Sequence, residues 1–181
     1  RPRTPLTLHF PPFPSPHTLL QLPSPPLPNG REEESLYTKE ILEFAAIGVQ
    51  CASLMEQARD KAEFVEQTTK LLPQLYLVTL RLPAYFYSPE SDYIEEHITE
   101  EAYEIVRQRL ASLLGEEDAY LSAQSQEMAY SDTPIAAFIS EGLADVYQHV
   151  GNLLGILRDQ NEEALLPAVG RCRYYFFEYW G

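Results

Sequence analysis

The stretch TPIAAFISEGLADVYQHVGNLLGIL, residues 133–157, decides the fold. Thr133-Pro134 places a capping hydroxyl directly before a proline suited to a first helical position. After it, Ile135, Ile139, Leu143, Val146, Val150, Leu153, Leu154 and Leu157 recur at helical spacing and share one face. The pattern predicts a long amphipathic helix opened by Thr133-Pro134. Ser140, Ala144, Gly151 and Gly155 flank its apolar stripe, and such small side chains let a neighbouring helix approach closely.

The same period extends outward in both directions. Tyr37, Ile41, Phe44, Gly48, Cys51, Met55 and Ala58 form one stripe, with Ser35 or Thr38 as its cap. Phe64, Thr68, Leu71, Leu75, Val78 and Leu82 form a second. Val65, Leu72, Tyr76 and Leu80 widen that stripe, which predicts the most buried helix of the set. Pro73 falls inside it and reads as a kink, because Leu72 is a poor cap for a new start. Residues 83–98 read as a loop rich in turn formers. Thr99 caps a third helix, which carries Tyr103, Val106, Leu110, Leu113 and Leu114 and stops at Gly115. A short helix is expected over residues 116–126. Asn161 caps the last, whose stripe is Leu165, Val169, Cys172, Phe176 and Tyr179, with Pro167 early enough to be tolerated. No internal repeat and no sustained two-residue alternation is present, so strands are not expected. The fold class that follows is all-α, an up-and-down bundle of five or six helices.

Ten of the fifteen prolines lie in residues 1–30. Proline removes a backbone donor and fixes φ, so neither a helix nor an inner strand can run there. The expected organisation is a disordered proline-rich segment, residues 1–34, before a helical domain, residues 35–181. The chain starts at Arg1, not Met, which points to residues missing upstream.

The net charge is −14. Arg1 and Arg3 are the only charges in residues 1–30, so residues 31–181 carry −16. Such a surface repels phosphate backbones and anionic lipid, which argues against nucleic acid and membrane as partners. No apolar run reaches the ~20 residues of a membrane span, and no signal peptide is visible. Cys51 and Cys172 have no CxxC spacing and sit on core stripes, where thiols are inert. A reducing, cytoplasmic location is the expectation.

Glu141, Asp145 and His149 stand four residues apart, within about 80° of one another around a helix, with Gln148 and Asn152 beside them. This set could hold a divalent metal or supply an acid–base pair, but it lies opposite the apolar stripe and reads first as a solvated face. It lacks the Glu-x-x-His of di-iron bundles. Glu40/Glu43 and Glu63/Glu66 are Glu-x-x-Glu pairs without the Glu-x-x-Asp that magnesium-dependent pyrophosphohydrolases add. His97 sits among glutamates in a loop, and no Gly-x-Ser-x-Gly is present. The C-terminal Tyr174-Tyr175-Phe176-Phe177-Glu178-Tyr179-Trp180-Gly181 has aromatics all round its helix, so one face cannot bury them. Tyr175, Phe177 and Trp180 are the candidates for an interaction surface.

Leu71-Leu72-Pro73, Leu114-Gly115-Glu116-Glu117-Asp118-Ala119-Tyr120, Ile139-Ser140-Glu141-Gly142-Leu143-Ala144-Asp145-Val146-Tyr147-Gln148 and Tyr179-Trp180-Gly181 together resemble an uncharacterised bacterial family, domain of unknown function 5063. The resemblance covers residues 36–181. It implies a helical domain and carries no activity, cofactor or site residue. In the family's pattern a further helix follows Tyr-Trp-Gly, so the resemblance implies a chain truncated at its C-terminus. The expected function is a non-enzymatic interaction or adaptor module of a bacterial cytoplasm, with no cofactor and with a protein partner or a second copy as its target. The alternative is a metal- or small-ligand-dependent enzyme using Glu141, Asp145 and His149.

Overall fold

The computed structural model describes residues 36–90, 92–122 and 134–181. The expectation for residues 1–34 lies outside them. Among the described residues five α-helices appear: α1 (Lys39–Gln57), α2 (Lys61–Arg81), α3 (Glu100–Leu114), α4 (Ile139–Arg158) and α5 (Glu162–Tyr175). A 3₁₀ turn, Gly115–Asp118, leads from α3 into a strand, β1 (Ala119–Ser122). A second strand, β2 (Ile135–Phe138), runs directly into α4. A π-helical turn over Phe176–Trp180 ends the described chain. The fold is mostly α-helical.

Helix starts follow local chemistry. Thr38, Asp60, Thr99 and Asn161 each accept a hydrogen bond from the backbone N–H three residues on, which satisfies a donor the helix itself leaves free. Gly115 ends α3 at φ +62°, a conformation that costs glycine nothing. α2 runs unbroken through Pro73, which is exposed, so the carbonyl it leaves without a donor is open to water.

α4 is the centre of the molecule. It packs against α1, α3 and α5, and every residue from Val150 to Leu157 is buried. Ile41, Phe44 and Cys51 of α1, Val106 and Leu110 of α3, and Leu165 and Val169 of α5 are among the core residues around it.

Three sequence expectations are corrected. First, α4 does not open at Thr133-Pro134. Residues 135–138 pair antiparallel with β1, from Ala119↔Phe138 to Ser122↔Ile135, so strands are present, and the short helix expected from residue 116 is a single 3₁₀ turn that gives way to β1 at Ala119. The helix begins at Ile139, and its capping group comes from across the fold. The Asp118 carboxylate accepts from Ser140 N and from Ser140 Oγ, both at 2.7 Å. The expected helix beyond residue 122 lies outside the described residues. Second, α2 is not the most buried helix. Val65, Tyr76, Leu77 and Leu80 are exposed, because α2 packs mainly on α1 and buries only Phe64, Leu75, Val78 and Thr79. Third, the neighbour that the small residues of α4 admit is partly a loop. A Cβ on Gly151 would meet Ile98 Cγ1 at 2.7 Å, and one on Gly155 would fall 2.6 Å from His97 Cβ.

Candidate functional site

The loop over residues 83–98 is bound to α4 and α5 at several points. Asn152 of α4, buried, accepts through Oδ1 from the backbone N–H of His97 at 2.7 Å and of Ile98 at 2.8 Å. Arg171 of α5 donates to the carbonyls of Ile94 at 3.0 Å and Glu95 at 3.3 Å. His97 Nε2 meets the Asp159 carboxylate at 2.8 Å, and Arg173 donates to the Leu82 carbonyl. Gly170 lets Tyr85 sit against α5, since a Cβ there would lie 2.7 Å from its ring. These bonds leave a cleft of about 390 Å³ between the loop, α4 and α5.

Asp145, Gln148 and His149 of α4, Arg171 and Tyr175 of α5, Tyr179 of the π-helical turn and Glu96 of the loop line the cleft. The polar side of α4 is therefore not simply a solvated face, as its position opposite the apolar stripe suggested. His149 is half-buried, and its ring stacks on Tyr175 with centroids 4.2 Å apart and planes 15° from parallel. Burial, then the nearby Arg171 charge, holds its pKa down at about 4, so the ring is neutral at pH 7. Tyr103 of α3 donates its hydroxyl to Asp145 Oδ1 at 3.0 Å. Burial raises the Asp145 pKa, and the Tyr103 hydrogen bond opposes that shift. The Tyr103 hydroxyl is pushed up to about 12, by burial first and by Asp145 second, so it stays a donor.

The structure separates the expected trio. Asp145 and His149 face the cleft, whereas Glu141 is exposed and outside its lining. Among the described residues no group of three or more His, Cys, Asp or Glu side chains is placed to hold a metal ion. Glu43 pairs with Lys39 and Arg81, and Glu66 with Lys70, so part of each Glu-x-x-Glu set serves surface ion pairs. Cys51 and Cys172 are buried free thiols, each raised by burial to about 12.

The aromatic C-terminus is sorted by position. Phe176 is buried against Tyr76 and Trp180, and Tyr175 lines the cleft. Phe177 and Tyr179 are exposed, at 61% and 70%. Trp180 borders a second, apolar groove of about 480 Å³, which Leu72, Pro73, Tyr76 and Leu77 of α2 line with it.

Arg171 is the functional candidate that the sequence reading passed over. In the sequence it is one of two cations, with Arg173, that flank Cys172 inside the apolar run of the last helix. No helix among the described residues is long and apolar enough to cross a membrane.

No curated protein matches this chain. The crystal structure of protein BF1032 from Bacteroides fragilis is similar, with a TM-score of 0.67 and 29% sequence identity over 81% of this chain and 87% of that one. The family described as Domain of unknown function (DUF5063) matches residues 35–181. The chain belongs to the DUF5063 family.

Proposed function

We propose that this chain is a non-enzymatic protein-interaction module of a bacterial cytoplasm, which binds a protein surface, of a partner or of a second copy, through its α2 edge and C-terminal aromatic turn. One observation carries the reading. Leu72, Pro73, Tyr76, Leu77 and Trp180 line a groove that is almost wholly apolar, and the neighbouring Leu80 and Phe177 are exposed. Contiguous apolar surface of this kind marks a contact site more often than a solvent face. The strongly acidic charge disfavours nucleic acid and anionic membrane as the target. The similarity to a Bacteroides fragilis protein supports a bacterial setting.

Light scattering over a wide concentration range, beside capture from native lysate, tests this with the wild type and with Leu77→Glu. The expected result is self-association or capture that Leu77→Glu abolishes while the helical signal is kept. A protein that is monomeric throughout, with capture indifferent to the substitution, overturns it.

A second reading keeps the cleft as an enzyme site, favoured by Asp145 and His149 both facing it. It no longer needs Glu141. Metal analysis and melting curves across a set of divalent ions test its metal-dependent form. No bound metal and no shift in melting temperature ends that form.

A further inference from the structure

We infer that the cleft between α4, α5 and the loop over residues 83–98 is a binding site for a small monocarboxylate with a flat apolar body, its carboxylate on Arg171 and its body against Tyr175 and Tyr179. This site is separate from the apolar groove of α2, and it stands or falls independently of it.

The argument starts from a buried cation. Arg171 is 7% exposed, and its two hydrogen bonds are to neutral carbonyls, Ile94 and Glu95. A guanidinium has five N–H donors, so donors remain. Among the described residues Arg171 forms no ion pair. Burying a charge is unfavourable unless it is paired, and the remaining charge of Arg171 borders an open cleft. The two carbonyls hold Nη1 and Nη2, and the Nε–H and one N–H on each of Nη1 and Nη2 are left uncommitted among the described residues.

The rest of the lining narrows the class. His149 is neutral at pH 7 and adds no second positive charge. Asp145 and Glu96 line the same cleft, within a chain of net charge −14. They penalise a dianion such as phosphate more than a singly charged group. A guanidinium binds carboxylate and phosphate alike, so it is the acidic lining that favours the singly charged group. Tyr175 stacks on His149 and has Tyr179 at 5.7 Å, so the aromatic part of the lining is already assembled beside Arg171. The volume of about 390 Å³ suits a small ring-bearing acid.

The test uses isotope-labelled full chain at pH 7, titrated separately with benzoate, benzamide, acetate and inorganic phosphate. The readout is the Arg171 side-chain N–H signal together with the Asn152 side-chain and Tyr175 backbone signals. Saturable shifts are expected with benzoate. Benzamide keeps the ring and loses the charge, and it should bind about tenfold more weakly, because a charge-assisted bond is roughly twice as strong as a neutral one. Acetate should move the Arg171 signal and leave Tyr175 less affected. Arg171→Gln should abolish the benzoate response, and Arg171→Lys should keep a reduced one. Either variant can loosen the loop, so the comparison of benzoate with benzamide on the wild type stands by itself. Equal binding of the two, tighter binding of phosphate than benzoate, or no saturable change at Arg171 overturns the inference.

Discussion

Asn152→Ala removes the acceptor that holds the loop to the central helix. Asn152 is 4% exposed, and its Oδ1 takes the N–H groups of His97 and Ile98 at 2.7 and 2.8 Å. Alanine leaves both donors without that acceptor, and an unsatisfied buried polar group costs about 1–3 kcal/mol. Asn152 also borders the cleft, so water can reach part of the gap and hold the sum to about 2–4 kcal/mol. Urea unfolding at pH 7 measures this. With a slope of roughly 1–3 kcal/mol per molar for a domain of this size, a loss of about 3 kcal/mol lowers the midpoint by about 1–3 M. Amide exchange adds the local signature, since protection at His97 and Ile98 should fall more than in α1. Asn152→Asp keeps an acceptor of the same shape and should lose less. A loss under about 0.5 kcal/mol with unchanged protection at both amides refutes the account of how the loop is held.

Two glycines of α4 should respond with opposite signs. Gly142→Ala meets nothing within 4 Å and should gain about 0.5–1 kcal/mol from helix propensity, whereas Gly155→Ala drives into His97 and should lose about 1–3 kcal/mol; equal signs in thermal melts contradict the packing described. Asp118→Ala removes the remote cap of α4 and should cost about 2–3 kcal/mol with faster exchange at Ser140, while an unprotected Ser140 amide in the wild type would deny the cap. Acid should weaken the fold through His149, whose folded pKa of about 4 lies below its ordinary 6.5, so its share of stability is complete above pH 6.5 and lost as pH falls towards 4. That share is about 1–2 kcal/mol after discounting for solvent at the cleft, and Asp145, raised in the fold, acts with the opposite sign; stability of His149→Gln that falls just as steeply over this window rules the assignment out. Cys51 and Cys172 should both resist a thiol reagent at pH 8 until the chain is unfolded, and fast labelling of either without denaturant contradicts their burial.

The parts of the fold legible in sequence are those whose chemistry is local. Thr38, Thr99 and Asn161 cap helices three residues away, and Gly115 stops one at its own φ. The start of α4 was not legible, because its cap, Asp118, stands 22 residues from Ser140 in the chain. Thr133-Pro134 carries the local signal of a helix start, yet the residues that follow gain backbone partners from β1 and become a strand. Ile135-Ala136-Ala137-Phe138 is apolar throughout and only four residues long, so no two-residue alternation marks it as a strand. The burial of α2 is not legible for a related reason. Its apolar residues are periodic, but periodicity says nothing of how many neighbours a helix has, and α2 has chiefly one. The cleft was half legible. Asp145 and His149 show themselves by helical spacing, while their neighbours Arg171 and Glu96 arrive from a different helix and from the loop.

The loop over residues 83–98 is where stability and the candidate site become one question. Gly151 and Gly155 give up helix propensity of about 1 kcal/mol each, and that loss lets Ile98 and His97 reach α4. Asn152 and Arg171, both buried, give up hydration to bind the loop's backbone instead of other side chains. A loop needed only to join α2 to α3 would require none of this, since short connections normally run over the surface. The arrangement fixes the Arg171 guanidinium by two bonds and sets Glu96 at the mouth of the cleft. Loosening the loop should therefore change the cleft before it unfolds the helices. In Asn152→Ala, the Arg171 side-chain signal should broaden at urea concentrations where the helical signal is still complete. Simultaneous loss of the two would mean that the loop and the bundle are a single cooperative unit, with the cleft no more adjustable than the core.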